Sequence, residues 1–517
     1  LRYYIRVFIV LFISSLISNA CFADSALKQI GEKLFRETRF SQYFATHSQG
    51  LWNQLPPAGD PSVEDLLTLA GPVENPYRGQ SISCAACHLS NQADNIAGAG
   101  TRSFSDFARR SPIPDRGDGL TSTVRNSPSM VGAHLHEGMS LHWDGEYPSA
   151  EDLVSSSFTG RNLGWFADEK PAAIHHISEV IRNDDGSFQT SVKQPSYREA
   201  LSNRIDFATA SDQQIFQAVV KLVATYVSSL DFSRDPSGDY NGSPYDLFLR
   251  KNNLPLRPQV AETDFDYSTK LMKTLLHAKS IHFVDSDDGA FKLHKQEFAF
   301  GEAELHGMRV FFGKGSCIQC HAAPDFTDHL FHNTGVSQDE YDRIHGFGKF
   351  MKLDVPNLLE RNAHPEIYLP PTAALPQAQS LFRSIPVKED SRRADLGTWS
   401  IFANPSMPKS QTLLRAQLCS SLQIDCANTS DDDLLNVSLG LFKTPTCRDL
   451  GQSEPYLHTG QANKIEDVLR FYIKYGMQAR MGKVRNGDPH LRDVDLSVGD
   501  IEDVALFLKS LNEDIEN

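Results

Sequence analysis

The first pattern along the chain is an apolar run, Val7 to Ile17, that follows Arg2 and Arg6 and gives way to small residues ending at Ala23. A charged start, an apolar stretch too short to span a bilayer with ease and a small-residue end predict a secretory leader over residues 1–23, cleaved after Ala23. An uncleaved anchor is the competing reading, while Ser18, where lipid signals carry an aliphatic residue, argues against a lipid on Cys21. Further on, Asp212 to Leu230 places Ile215, Phe216, Val219, Val220, Val223, Val227 and Leu230 at helical spacing. Val498 to Leu511 repeats such a pattern after Ser497, with Asp500 three residues on as a capping partner. Two shorter amphipathic segments, Ile30 to Phe35 and Glu304 to Phe312, resemble each other and predict helices that open two related halves. Strand patterns are sparse, and residues 353–410, rich in Pro, Ala and Ser, read as long ordered loops. The predicted fold class is mainly α.

A chain of 517 residues is long enough for two or three cores. Its formal charge of −15 becomes more negative by two when the leader, with two arginines and no acid, is removed. Such an acidic surface argues against nucleic acid and for basic or dipolar protein partners. After the leader no segment is apolar enough to span a membrane, so the expected location is the periplasm.

The cysteines change the picture most. Four of the eight fall in two copies of Cys-x-x-Cys-His, Cys84-Ala-Ala-Cys87-His88 and Cys317-Ile-Gln-Cys320-His321. This spacing tethers a porphyrin by two thioethers and turns the next histidine under the ring as an iron ligand. A redox disulfide or half a zinc site needs no trailing histidine, least of all twice. Two covalently bound c-type haems are therefore expected, with His88 and His321 on the irons, and each related half becomes a cytochrome c-like domain around one haem. Cys419 and Cys426, close together in a polar stretch, predict a local disulfide in an oxidising compartment. Cys447 is left over and reads as a small buried apolar residue.

Several segments in a fixed order then carry a family resemblance: Gly31-Glu-Lys-Leu-Phe35, Arg39-Phe-Ser41, Arg125-Asn-Ser-Pro128, Trp143-Asp-Gly145, Phe331-His-Asn-Thr-Gly-Val336, Thr444-Pro-Thr446 and Pro455-Tyr-Leu-His-Thr-Gly460. Around two haem motifs they resemble the bacterial diheme cytochrome c peroxidases and their MauG-type relatives, from about residue 27 to 511. The resemblance implies an N-terminal domain at 24–240 whose haem meets hydrogen peroxide, a linker or insertion at 241–295, and a C-terminal electron-transfer domain at 296–517 with a further insertion at about 355–440. It implies that Trp143 couples the haems; a core aromatic is the plainer reading of that residue. It also implies a calcium ion between the domains, held by the Asn126 side chain and the carbonyls of Ser453 and Pro455, oxygen ligands that suit calcium.

Three departures from the peroxidase pattern follow. The family's second histidine on the first haem lies between the haem motif and Arg125, but Leu89 to Val124 contains no histidine. An open or water-bound first haem is expected, unless His134, His136 or His142 reaches back. The family's methionine on the second haem stands fourteen residues after the histidine of the Pro-Tyr-x-His motif, a position occupied here by Tyr472. MauG-type enzymes place a tyrosine there, and a phenolate favours oxidised iron where a thioether favours reduced iron; Met477 and Met481 are the rival ligands. The family's acid–base glutamate is missing from Thr159 to Trp165, which leaves Arg161 and Asn162, or Asp144 and Glu146 nearer the tryptophan, to act on peroxide.

The leading expectation is a MauG-like oxidoreductase that takes hydrogen peroxide at the first haem and oxidises a redox partner protein through the second, the partner being a small cytochrome, a copper protein or a protein substrate. The alternatives are a peroxide-scavenging cytochrome c peroxidase and a diheme electron carrier without catalysis.

Overall fold

The computed structural model describes residues 26–514 apart from 69–70, 76, 89–109, 134–137, 191, 193, 293–295 and 451–453. The leader, most of the histidine-free stretch, His134, His136 and Ser453 thus lie outside the described residues. The fold is mainly helical, as expected. Its strands among the described residues are two short antiparallel ribbons, Asp65–Thr68 with Gly71–Glu74 and Phe331–His332 with Phe442–Lys443. No helix of the described residues is long and apolar enough to cross a membrane.

Three large hydrophobic cores organise the described residues. The first is built between Leu34 and Tyr240. At its centre the helix Asp212–Ser228 buries the apolar stripe read from the sequence, against helices Ala150–Phe158 and Lys170–Asn183. Ser211 starts it: its hydroxyl accepts the Gln214 N–H while the Gln214 side chain returns to the Ser211 N–H. Ser211→Ala removes that cap, and chemical denaturation followed by circular dichroism should show a loss of about 1 kcal/mol. Beside this helix Arg39 is buried, its guanidinium on Glu37 at 2.7 Å and Asp184 at 3.0 Å, which pins the first sequence motif to the core.

The second core runs from Tyr245 to Leu511. Helix Glu302–Phe312 crosses the closing helix Ile501–Lys509 at Gly307, where a Cβ would stand 1.9 Å from the Asp503 carbonyl oxygen. Only glycine permits that approach. Within 241–295, helices Pro244–Lys251 and Asp264–Leu276 bury Tyr245, Phe248, Leu249, Tyr267 and Leu271 in this same core.

The third core lies largely within the stretch expected as an insertion at about 355–440: Trp399 packs with Phe382, Leu396, Leu414, Leu418 and Leu434, joined by Phe331, Tyr341 and Phe350. Within residues 353–410, read as loops, Leu358–Ala363 and Pro365–Tyr368 are short helices. The Cys419–Cys426 disulfide closes the end of its helix Gln411–Leu422, as the spacing predicts.

Candidate haem centres and the junction between them

Both Cys-x-x-Cys-His segments fold into the same single turn. In the first, the Cys87 and His88 N–H groups donate to the Cys84 carbonyl at 3.1 and 2.9 Å; in the second, those of Cys320 and His321 donate to Cys317 at 3.3 and 2.8 Å. None of these four cysteines is paired in a disulfide. The turn exists because the backbone of only two intervening residues closes one helical turn, which brings both sulfurs and the imidazole to one side.

Both histidines are held in the neutral form that a metal ligand takes. His321 Nδ1 lies 3.0 Å from the Phe326 carbonyl oxygen, which can only accept, so the proton is on Nδ1 and the Nε2 lone pair is left to a metal. Burial pushes the His321 pKa down, and it pushes that of His88 down to about 4, with the nearby His142 charge adding to the effect. A neutral imidazole is the ligand form. The Pro128 backbone lies beside His88 and partly offsets the effect of burial on its pKa. Paired cysteines, each pair followed by a neutral, half-buried imidazole, fit a c-type haem at both places.

Tyr472 stands on helix Ile465–Arg480. Burial pushes its pKa up, and Cys320, Cys447 and Cys317 lie close enough to act on it, so the phenol adjoins the second haem motif. A cation bound there would favour the phenolate over the phenol. Met477 and Met481, the rival ligands, are 48% and 58% exposed. Two further side chains at this centre escaped sequence reasoning. Cys447 Sγ is 3.2 Å from His321 Nδ1. His332, beside Cys320, is held between Asp488 at 2.6 Å and Asp328 at 2.8 Å.

Trp143 lies where the halves meet. Its indole N–H donates to the Asn126 carbonyl at 2.8 Å, and its own carbonyl accepts the Lys443 N–H at 2.8 Å. Its ring is 6.3 Å from that of His458, which stacks on Phe442 at 3.6 Å. The turn that carries it is tight: His142 is left-handed (φ 74°), and a Cβ on Gly145, itself left-handed, would meet Leu414 and Phe331 at 2.8 Å. Asn126 is bonded across the junction, its N–H to the His458 carbonyl and its Nδ2 to the Pro455 carbonyl, both at 2.6 Å. Its Oδ1 is buried without a partner among the described residues. An orphaned amide oxygen next to a carbonyl oxygen is chemistry a calcium ion accepts.

The candidates for acting on peroxide are placed differently. Arg161 commits its guanidinium to Asp118 (2.8 Å, twice), the Pro114 carbonyl and the Leu120 carbonyl, and Asn162 is exposed. Neither offers a donor that is both buried and uncommitted. The carboxylates nearer the tryptophan are bound in ion pairs: Asp144 with Arg125 at 2.5 Å and Arg383 at 3.1 Å, Glu146 with Arg383 and with His142 at 3.2 Å. Burial alone would raise the pKa of both, but Arg125 and Arg383 hold Asp144 well below the carboxylate range, and Arg383 holds Glu146 below it. Both therefore remain anions. Asp395 completes this cluster, receiving Arg125 at 2.6 Å. No local spacing links Arg383 or Asp395 to Arg125; the third core delivers them.

No family model matches the chain. The cytochrome-c peroxidase IdrP2 of Denitromonas iodatirespirans is 22% identical over 214 residues, 41% of each chain. IdrP1 of Pseudomonas sp. (strain SCT), also a cytochrome-c peroxidase, is 20% identical over 281 residues, 53% of this chain and 58% of that one. The chain thus matches about half the length of these relatives. Among solved structures, a MauG-like protein associated with microbial copper homeostasis aligns over 94% of this chain and 89% of its own, with 16% identity and a TM-score of 0.46. The diheme peroxidase BthA from Burkholderia thailandensis aligns over 94% and 86%, with 14% identity and a TM-score of 0.46. In its ordered motifs and its sequence relatives, the chain resembles the bacterial diheme cytochrome c peroxidase and MauG-type enzymes.

Proposed function

We propose that this protein is an exported diheme c-type oxidoreductase that reduces hydrogen peroxide at an N-terminal haem and oxidises a partner protein through a C-terminal one. The observation that carries the reading is the repeated site: two similar turns, each with two cysteines outside any disulfide and a neutral, half-buried histidine, and a tyrosine adjoining the second. Cys84 and Cys87 would tether the first haem with His88 on its iron; Cys317, Cys320, His321 and Tyr472 would hold the second. When bound, the pair would supply two-electron reduction of peroxide to two waters, balanced by two protons and two one-electron oxidations of the partner. Trp143, bonded to both halves, holds the aromatic contact with His458 that bridges the two cytochrome c-like domains. The Asn126 and Pro455 oxygens, with Ser453, would take calcium at that junction. Residues 1–23 would direct the chain to the periplasm, where haem attachment of this type takes place.

Low-temperature electron paramagnetic resonance of the purified diferric protein tests this, together with its optical response to one equivalent of peroxide. The expected result is one high-spin and one low-spin haem, both signals changing on peroxide addition. Two low-spin haems would return the first site to a capped, scavenging-type peroxidase. A spectrum indifferent to peroxide would leave an electron carrier.

A further inference from the structure

One face of the molecule contradicts its overall charge. The chain carries a formal charge of −15, yet residues 343–353 and 472–487 contain no Asp or Glu. These two stretches are neighbours. Helix Val336–His345 and helix Ile465–Arg480 share a small core of Val336, Phe471 and Tyr475, and Gly335 closes on the Tyr475 ring. Past the helix ends, the Lys483 ammonium sits 5.7 Å from the centre of the Phe347 ring. Acids bounding the stretches are turned inward: Asp342 accepts the Gly348 and Phe350 N–H groups, and Asp488 holds His332. Asp339 is buried under Lys474 and Arg343. Exposed Asp354 lies at the margin.

The surface left between is apolar and basic at once. Phe347 is 65% exposed, and Met351, Met477 and Met481 are also open to solvent. Lys349, Lys352, Lys474 and Lys483 are exposed in the same two stretches. Monomeric proteins leave few large apolar side chains together at the surface, and Met and aromatic residues ringed by charge are the composition of an interface centre and its rim. The face also belongs to the helix that carries Tyr472, so a partner seated on it stands close to the second haem motif.

We infer that this face docks a small soluble redox protein of acidic surface, the partner that exchanges electrons with the second haem; the partner's role rests on the function proposed above. Charge complementarity selects the occupant. A basic island on an acidic molecule attracts and orients an acidic partner, whereas the rest of the surface repels it. The bulk charge alone points to a basic or dipolar partner, and the local arrangement favours an acidic one at this face.

The test uses the full-length diferric holoprotein and reduced plastocyanin of net negative charge as the probe. Binding is measured by surface plasmon resonance at low ionic strength, about 20 mM, where screening is weak. The variant Lys349→Glu/Lys352→Glu/Lys483→Glu should weaken binding about tenfold or more, with the difference shrinking at high salt. Lys221→Glu, on an exposed position of the first core's helix, should change it little. Equal affinity of the triple variant and the wild type would overturn the inference. So would a wild-type dimer in sedimentation that the triple variant loses, because the occupant would then be a second copy. Peroxide turnover with the small neutral donor guaiacol is read on the same samples. Its absence in the wild type counts against the proposed function alone, whereas its retention in a triple variant that has lost plastocyanin binding supports the docking face.

Discussion

Arg125→Met should destabilise the protein by about 3–5 kcal/mol, the cost of breaking a buried ion pair from one side. The arginine side chain is 6% exposed, and its partners Asp144 and Asp395 are 0% and 3% exposed. Methionine fills similar volume, so the loss comes from carboxylates stripped of their cation. Asp144 keeps Arg383 at 3.1 Å, but Asp395 receives both of its guanidinium hydrogen bonds from Arg125. The sign of the pH dependence follows from the same contacts. Burial by itself would raise the Asp395 pKa, and Arg125 brings it below the ordinary 3.8. A carboxyl whose folded value is depressed stabilises the fold above its unfolded pKa, and that contribution is lost as pH falls through the folded value. In the wild type the loss is confined to pH below about 4. Without Arg125 the buried Asp395 is shifted upward instead, so the variant should gain stability on mild acidification from pH 7 towards 5. Guanidinium denaturation at pH 7 and pH 5 checks both. An unchanged midpoint at pH 7 would mean that the network is solvated in solution and does not clamp the third core to the Trp143 turn. Arg125→Met/Asp395→Leu should recover part of the loss, since the orphaned charge goes with it.

What could be read from the sequence was the local and the periodic. The helix Asp212–Ser228 was legible because nine of its side chains are buried on one face at helical spacing. The haem turns were legible because their chemistry is contained in five consecutive residues. The disulfide was legible from two cysteines seven apart in sequence. By contrast, the third core is assembled from elements such as Leu358–Ala363 and Pro365–Tyr368, six and four residues long, too short to show a period, so Pro-rich composition made them read as loops. The 241–295 helices were set aside with the insertion although Tyr245, Phe248 and Leu249 already have core spacing. The Arg125–Asp395 pair, 270 residues apart, has no sequence signal at all. The same limit applies to Arg161: it stands in a suggestive place along the chain, and only tertiary contacts reveal that its donors are spent on Asp118 and two carbonyls.

Tyr472→Met should raise the midpoint potential of the second haem by on the order of a few hundred millivolts, within the range axial ligands span. A phenolate donates charge and favours the oxidised iron, whereas a thioether favours the reduced iron, so the exchange moves the couple upward without touching His321. The site accommodates the change because methionine is flexible and Tyr472 is only half-buried. Tyr472→Phe separates ligation from packing. It keeps the ring and removes the oxygen, so the low-spin signal of the second haem should be lost or altered while the fold stays intact. Spectroelectrochemical titration of the wild type and both variants reads the potentials directly, independent of any turnover. If Tyr472→Met leaves the potential in place and Tyr472→Phe leaves the spectrum in place, Tyr472 is a core residue. Exposed Met477 and Met481 would be poor replacements, and the second iron would take its other ligand from elsewhere. If both shift as expected, the second centre is tuned to remain oxidised. It would then store oxidising equivalents until a partner arrives, as a MauG-like role requires and a high-potential electron acceptor does not.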